Sequence, residues 1–138
     1  VRYRGDNVSA YYVGRRKIVS HPQVFRAISQ AASHFNYVSK GVFNATTPVL
    51  HRANEDSRTL QKIVSSGAQE IDMESAGFLS ICQALRIPAG VARSVSDTVP
   101  WSSATKKRFD FKIATKRSVK VALLAMTFLR CNRELQNS

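Results

Sequence analysis

The order of hydrophobic patterns along this chain constrains its fold more than any other feature of the sequence. Short segments of branched and apolar residues alternate with longer segments whose apolar residues recur at helical spacing. Candidate strands lie at residues 7–13, 37–43, 48–50, 69–72 and 89–95, and candidate helices lie at residues 22–35, 54–64, 78–85 and 105–135. Strands that alternate with helices are typical of layered α/β folds. We therefore predict one domain over residues 1–138, a three-layer α/β/α sandwich around a central mixed sheet.

Two of these helices carry specific expectations. Before the first helix, Ser20 is a suitable N-cap residue, and Pro22 fits the first turn. The helix over residues 78–85 has apolar residues on most of its sides, so we expect it to be well buried. The apolar face of the first helix consists of Val24, Ile28, Ala31, Ala32 and Phe35.

The net charge of the chain is +12, from 21 Lys and Arg residues against 9 Asp and Glu residues. A charge of this size favours an anionic partner, either nucleic acid, an acidic lipid surface or a phosphorylated small molecule. No apolar run reaches the roughly 18 residues that indicate a membrane-spanning helix. Cys82 and Cys131 stand far apart, without the spacing of a metal site. Such sparse cysteine usage fits a reducing compartment, so we expect a cytoplasmic protein that binds no metal.

Basic residues form a regular stripe on the last candidate helix. They recur every four positions, at Arg108, Lys112, Lys116 and Lys120. This spacing places them on one side of the helix. A solvated helix face is one interpretation, and an anion-binding surface for nucleic acid or an acidic partner chain is another.

Two acidic segments are the candidates for chemistry. The first, residues 70–77, reads EIDMESAG and joins a candidate strand to a candidate helix. The second, residues 93–98, reads RSVSDT and lies where another candidate strand should end. Ligands usually bind at the carboxyl ends of strands in open α/β sheets. Each acid also has a purely structural interpretation, because an acid is favoured at a helix N-terminus and an Asp caps a turn.

The two acidic segments, in this order and separated by a helix and a Pro-containing turn, resemble the signature of the nucleoside phosphorylase-like superfamily. That family includes methylthioadenosine/S-adenosylhomocysteine nucleosidases, AMP nucleosidases and purine nucleoside phosphorylases. The resemblance is strong over residues 67–99 and weaker but collinear over residues 41–52 and through the last helix.

The resemblance implies roles for five residues. Glu74 matches the glutamate that binds the ribose 2′- and 3′-hydroxyls, and Met73 matches a methionine that packs against the sugar. Asp97 matches the acid that protonates or hydrogen-bonds N7 of the leaving purine, and Ser96 matches a residue that orients this acid. Phe43 lies where family members place residues over the base, although a place in the core is the other interpretation.

The resemblance also indicates the base of the substrate and the nucleophile of the reaction. The uridine phosphorylase branch looks similar at the glutamate but lacks an acid at the position of Asp97, so a purine is expected. Residues 93–97 look more like nucleosidases, which use water, than like phosphorylases, which use phosphate. We therefore expect hydrolytic cleavage of the N-glycosidic bond of a purine nucleoside, without a cofactor. The alternative is a phosphorylase with phosphate as co-substrate, for which Arg108 is the candidate phosphate contact.

The chain also departs from the family pattern. The family's N-terminal part carries the phosphate or water site and the acid that activates water. Residues 1–138 show no match to that part, and they contain no Gly-rich phosphate loop. Asp72 stands where many members have Glu, which leaves its role open. A third interpretation is therefore a degenerate, non-catalytic binding module that uses its basic helix. Family members form dimers, trimers or hexamers, so the resemblance implies a homo-oligomer.

Overall fold

A computed structural model describes residues 3–4, 18–46, 57–95 and 111–136 of the chain. Strands and helices alternate along these ranges, as the hydrophobic patterns predict. In chain order the described elements are β1 (Tyr3–Arg4), α1 (Pro22–His34), β2 (Asn44–Thr46), α2 (Ser57–Ser65), β3 (Glu70–Asp72), α3 (Ser75–Ala84) and α4 (Phe111–Gln136).

The described strands form a parallel sheet in the order β1, β2, β3. Tyr3 pairs with Asn44 between β1 and β2, and Thr46 pairs with Asp72 between β2 and β3. Parallel neighbours require a crossover connection, and α2 lies in the segment that joins β2 to β3. Parallel strands with helical crossovers confirm the predicted α/β class.

The chain divides into two compact units. The sheet unit comprises Val1–Ser20 and Gly41–Ala89, and the helical unit comprises His21–Lys40 and Gly90–Ser138. The sheet unit contains the three described strands with α2 and α3, whereas the helical unit contains α1 and α4. One domain over residues 1–138 stays a prediction.

Aliphatic side chains of the strands and helices form the core of the sheet unit. Ala45 of β2 and Ile63 of α2 are buried, and Ala68 and Ile71 pack against them. Helix α3 contacts β1 and β2. Its buried residues are Ser75, Ala76, Gly77, Leu79 and Ser80.

The prediction that the helix over residues 78–85 is well buried was wrong. Phe78 is 50% exposed and Leu85 is 64% exposed, and Ile81 is also exposed. The buried residues of the helix, apart from Leu79, have small side chains, which allow a helix to approach a sheet closely. Helical periodicity identifies an apolar face, but it does not show which face packs against the sheet.

In the helical unit, α1 packs against α4 through alanine and valine side chains. Pro22 occupies the first turn of α1 as predicted, but the N-cap residue is His21 rather than Ser20, and the His21 side chain makes no capping hydrogen bond. The predicted apolar face of α1 is confirmed, because Ala31 and Ala32 are buried and Ile28 and Phe35 pack against them. The core of this unit also includes Ala27 of α1 and Val121 and Ala125 of α4, with Leu124 and Phe128 of α4 packed against it.

Two predicted strands differ from the structure. The strand prediction at residues 37–43 was wrong, because these residues form no strand and β2 comprises Asn44–Thr46. Residues 89–95, all within the described ranges, form no strand. The small side chains that alternate with larger ones in this segment have another cause. A Cβ at Gly90 would lie 2.8 Å from Val24 Cγ1 of α1, and Ala92 packs against the α1–α4 core.

The other boundaries agree closely with the sequence patterns. Helix α2 is described over Ser57–Ser65, and its predicted start near residue 54 lies outside the described residues. Strand β3 lies within the predicted residues 69–72. The last helix ends at Gln136, and its predicted start near residue 105 lies outside the described residues. The strands predicted at residues 7–13 and 48–50 also lie outside them. None of the helices in the described ranges combines the length and hydropathy that crossing a membrane requires.

Candidate functional site

Met73 and Glu74 form the two-residue connection between β3, which ends at Asp72, and α3, which begins at Ser75. The connection therefore lies at the carboxyl end of a parallel strand, where open α/β sheets usually bind ligands. Both residues are exposed. The first acidic segment thus lies at the strand–helix junction that its sequence predicts.

Asp72 ties this junction to the neighbouring strand. Its Oδ1 accepts hydrogen bonds from Asn44 Nδ2 at 2.9 Å and from Thr46 Oγ1 at 2.7 Å. Its Oδ2 accepts hydrogen bonds from the backbone N–H of Ser75 at 3.3 Å and from Ser75 Oγ. One carboxylate therefore links β2, β3 and the start of α3.

Thr46 supplies a second link between β2 and α3. Its Oγ1 accepts hydrogen bonds from the backbone N–H of Ala76 at 3.0 Å and from Asn44 Nδ2 at 3.2 Å. The first N–H groups of a helix have no partner within the helix. Asp72 and Thr46 satisfy two such groups of α3, those of Ser75 and Ala76.

Glu74 occupies the N-cap position of α3 but does not cap it. Its backbone angles are φ −125° and ψ −27°, and its side chain makes no capping hydrogen bond. Its carbonyl oxygen accepts the first helical hydrogen bond, from the N–H of Phe78 at 3.0 Å. The structural interpretation of the first acidic segment therefore applies to Asp72. The Glu74 carboxylate is exposed at the edge of the sheet and takes no part in capping α3.

Met73 has the second exposed side chain of the connection. It is 40% exposed, although a thioether side chain has little affinity for water. An exposed carboxylate and an exposed flexible apolar chain thus stand next to each other in sequence. This pair combines acceptors for hydroxyl groups with an apolar surface.

Phe43 lies at the other end of its strand. It precedes β2, whereas Met73 and Glu74 follow the carboxyl end of the parallel strand β3. Its carbonyl oxygen accepts a hydrogen bond from the N–H of Gln69 at 2.8 Å, and its side chain is half-buried. The role of Phe43 over the base stays a prediction.

The second acidic segment is described only in part. Arg93 and Ser94 are half-buried, and Ser94 Oγ accepts a hydrogen bond from Ser118 Oγ of α4 at 3.0 Å. Ser96 and Asp97 lie outside the described residues, so their roles stay predictions.

The basic stripe of the last helix is partly described too. Lys112, Lys116 and Lys120 are exposed on α4, whereas Arg108 lies outside the described residues. The Lys120 ammonium lies 5.9 Å from the ring centroid of Phe35, which places this cation over an aromatic face.

Asn44 and Thr46 are site residues that sequence reasoning missed. Asn44 is fully buried, Thr46 is 5% exposed, and both lie on β2, directly beside β3. Two polar side chains within a short strand that interrupt its apolar pattern are the signal that points to them. Asn44 Oδ1 is buried and lacks a hydrogen-bond partner among the described residues.

The chain belongs to the phosphorylase superfamily, because the model of that family matches residues 1–129. This match covers most of the chain, including both acidic segments. No curated protein matches the chain.

Two of the solved structures that share its fold are an AMP nucleosidase and a purine nucleoside phosphorylase. AMP nucleosidase from Bacteroides thetaiotaomicron VPI-5482 superposes with a TM-score of 0.72 and 19% identity, over 96% of this chain and 52% of that one. Purine nucleoside phosphorylase from Toxoplasma gondii, in complex with immucillin-H, superposes with a TM-score of 0.64 and 20% identity, over 95% of this chain and 54% of that one. This chain therefore spans about half the length of each.

The hydrogen bonds at the start of α3 predict unequal effects on stability. Glu74→Gln should change the free energy of unfolding by less than about 1 kcal/mol, because an exposed side chain without a capping bond contributes only its interaction with the helix dipole. Thr46→Val should lower it by about 1–3 kcal/mol, because the buried N–H of Ala76 loses its acceptor. Urea unfolding of both variants measures the difference. A larger loss in Glu74→Gln would show that Glu74 stabilises the start of α3.

Proposed function

We propose that this chain provides the sugar- and base-binding part of a site that cleaves the N-glycosidic bond of a purine nucleoside by hydrolysis. The observation that supports the proposal is the position of Glu74. It is exposed at the carboxyl end of the parallel strand β3, and its side chain does not cap α3. Membership of the phosphorylase superfamily supports the class of reaction.

Glu74 suits ribose because of its acceptor geometry. An ionised carboxylate has two oxygens that accept hydrogen bonds, and ribose offers two adjacent hydroxyl donors. Hydrogen bonds to a charged acceptor are shorter and stronger than neutral ones. Met73 would then cover an apolar face of the sugar with its flexible side chain.

Asp97 supplies the other chemical task in this proposal. Cleavage of a glycosidic bond passes through an oxocarbenium-like sugar, and the leaving group departs more easily when it is protonated. A carboxylic acid beside N7 of the purine would donate or share that proton. Ser96, the residue before it, would hold the acid in the orientation that N7 requires.

Water is the proposed nucleophile because the segment that contains Asp97 resembles nucleosidases more than phosphorylases. Among the solved structures that share the fold are a nucleosidase and a phosphorylase. The fold is therefore compatible with either reaction, and phosphorolysis is the alternative within the enzyme class. Self-association and a cytoplasmic location stay predictions.

Chromatographic detection of free purine tests the proposal. The substrates are methylthioadenosine, S-adenosylhomocysteine, adenosine, inosine and AMP, each with and without phosphate. We expect purine release without phosphate, and a rate for Asp97→Asn that is lower by roughly 10²–10⁴-fold, the usual contribution of a general acid. Circular dichroism of the variant controls for folding.

Three other outcomes have distinct meanings. Strictly phosphate-dependent release would make the protein a phosphorylase. An undiminished rate in Asp97→Asn would remove Asp97 from the mechanism. No release from any nucleoside by the folded chain would favour the binding module over the enzyme.

A second candidate function is nucleic-acid binding by the basic stripe. The exposure of Lys112, Lys116 and Lys120 on α4 favours it. These lysines lie on successive turns of the helix, each of which rises about 5.4 Å along the axis. The net charge of +12 adds a general attraction for phosphates.

Salt dependence tests this second function. If the stripe contacts phosphates, affinity for a DNA duplex should fall by orders of magnitude between 50 and 200 mM salt, roughly as expected for several phosphate contacts. Replacing the three lysines by Gln should make the plot of log affinity against log salt concentration less steep, by the contribution of about three phosphate contacts. A control with Lys40 and Lys62 replaced by Gln changes charges elsewhere on the chain. Binding that ignores the three stripe lysines would leave the stripe as a solvated helix face.

A further inference from the structure

We propose that Asp72 and Thr46 are positioning residues for Glu74. They cap α3 in place of Glu74, and thereby keep its carboxylate available for the ribose hydroxyls. This inference rests on the proposed function for its ligand. The capping arrangement itself rests only on the hydrogen bonds of the sheet unit.

The first N–H groups of α3 can attract any acceptor that lies near the start of the helix. An N-cap side chain normally accepts a hydrogen bond from one of the first N–H groups of its helix. The positive end of the helix dipole also attracts a nearby carboxylate. Glu74 occupies the N-cap position, so unsatisfied N–H groups would draw its carboxylate onto the helix.

Asp72 and Thr46 satisfy these N–H groups instead of Glu74. Asp72 Oδ2 accepts from the N–H of Ser75, and Thr46 Oγ1 accepts from the N–H of Ala76. Both acceptors lie on strands of the sheet, and neither belongs to the connection formed by Met73 and Glu74. The capping groups therefore come from outside the connection that carries the exposed carboxylate.

Burial makes this arrangement rigid. Thr46 is 5% exposed, Ser75 is 4% exposed, and the N–H of Ala76 is buried with the residue that carries it. Hydrogen bonds in such surroundings are stronger than in water, and leaving one unmade is costly. Asp72 and Ser75, joined to each other directly, flank the connection on both sides and so fix both of its ends.

The hydrogen bonds that Asp72 accepts require a carboxylate at this position. Its two oxygens face different partners, with Oδ1 toward Asn44 and Thr46 and Oδ2 toward Ser75. An Asn side chain has one acceptor oxygen and one donor nitrogen, so it cannot accept on both sides. Asp72→Asn is therefore expected to disrupt the capping of α3 with almost no change in side-chain volume.

Four variants of the full chain test the inference. Thr46→Val removes the acceptor for Ala76, Thr46→Ser keeps a hydroxyl, and Asp72→Asn removes one carboxylate acceptor. The control is Ser80→Ala, which removes a fully buried hydroxyl from the same helix. Ser80 Oγ donates to the carbonyl oxygen of Ala76 at 2.6 Å, so the control leaves the capping bonds in place.

The first readout is the ratio of the dissociation constants for adenosine and free adenine, measured by calorimetry. If the cap positions Glu74, Thr46→Val and Asp72→Asn should weaken adenosine relative to adenine by about tenfold, the equivalent of one hydrogen bond. Thr46→Ser should restore most of the ratio, and Ser80→Ala should not change it. A role in stability alone would weaken both ligands together.

The second readout is amide hydrogen exchange at Ser75 and Ala76, which needs no ligand. Exchange at Ala76 should accelerate by about tenfold or more in Thr46→Val and stay unchanged in Ser80→Ala. Unchanged exchange in Thr46→Val would overturn the capping arrangement. Faster exchange with an unchanged adenosine-to-adenine ratio would overturn the positioning of Glu74. A wild-type chain that binds neither adenosine nor adenine, with the predicted exchange pattern, would count against the proposed function instead.

Discussion

The carboxylate of Asp72 is the interaction on which the candidate site depends. It accepts hydrogen bonds from β2 on one side and from the start of α3 on the other, so a single side chain joins two strands and a helix. Thr46 completes this arrangement by accepting from the N–H of Ala76. The connection between Asp72 and Ser75 therefore has fixed ends, and its exposed residues have a defined place at the sheet edge.

This arrangement separates structural work from chemical work within one acidic segment. Asp72 is half-buried and takes part in the hydrogen bonds of the sheet unit, whereas Glu74, two residues later, is exposed. Neighbouring acids in a short motif often have such different environments, and environment decides what a carboxylate does. In the proposed function, the exposed acid holds the sugar, and the acid of the second segment, Asp97, assists the leaving base.

Sequence patterns predict the strand–helix junctions well and the buried faces less well. The change from strand to helix spacing after Asp72 predicts where Met73 and Glu74 lie. The apolar residues of α3 suggest a buried face at Phe78, but the small residues around Ala76 pack against the sheet instead. Small side chains carry little hydrophobic signal, so periodicity alone cannot find such a face.

The partners of Asp72 show a second limit of a single sequence. Asn44 and Thr46 lie 28 and 26 residues before Asp72 in the chain, and only the parallel register of β2 and β3 brings them together. Register between strands that far apart leaves no local pattern. Family resemblance predicts which acids matter, but it does not show which of them caps the helix. That assignment comes from the hydrogen bonds.

The most direct test of ribose binding by Glu74 compares adenosine with 2′,3′-dideoxyadenosine as ligands of the wild-type chain and of Glu74→Gln. Two hydrogen bonds from ribose to a carboxylate predict that the wild type prefers adenosine by on the order of 100-fold. The preference should fall to about tenfold or less in Glu74→Gln, because a neutral amide has one acceptor oxygen. An equal preference in both proteins would show that the ribose hydroxyls do not bind Glu74, and would contradict the account.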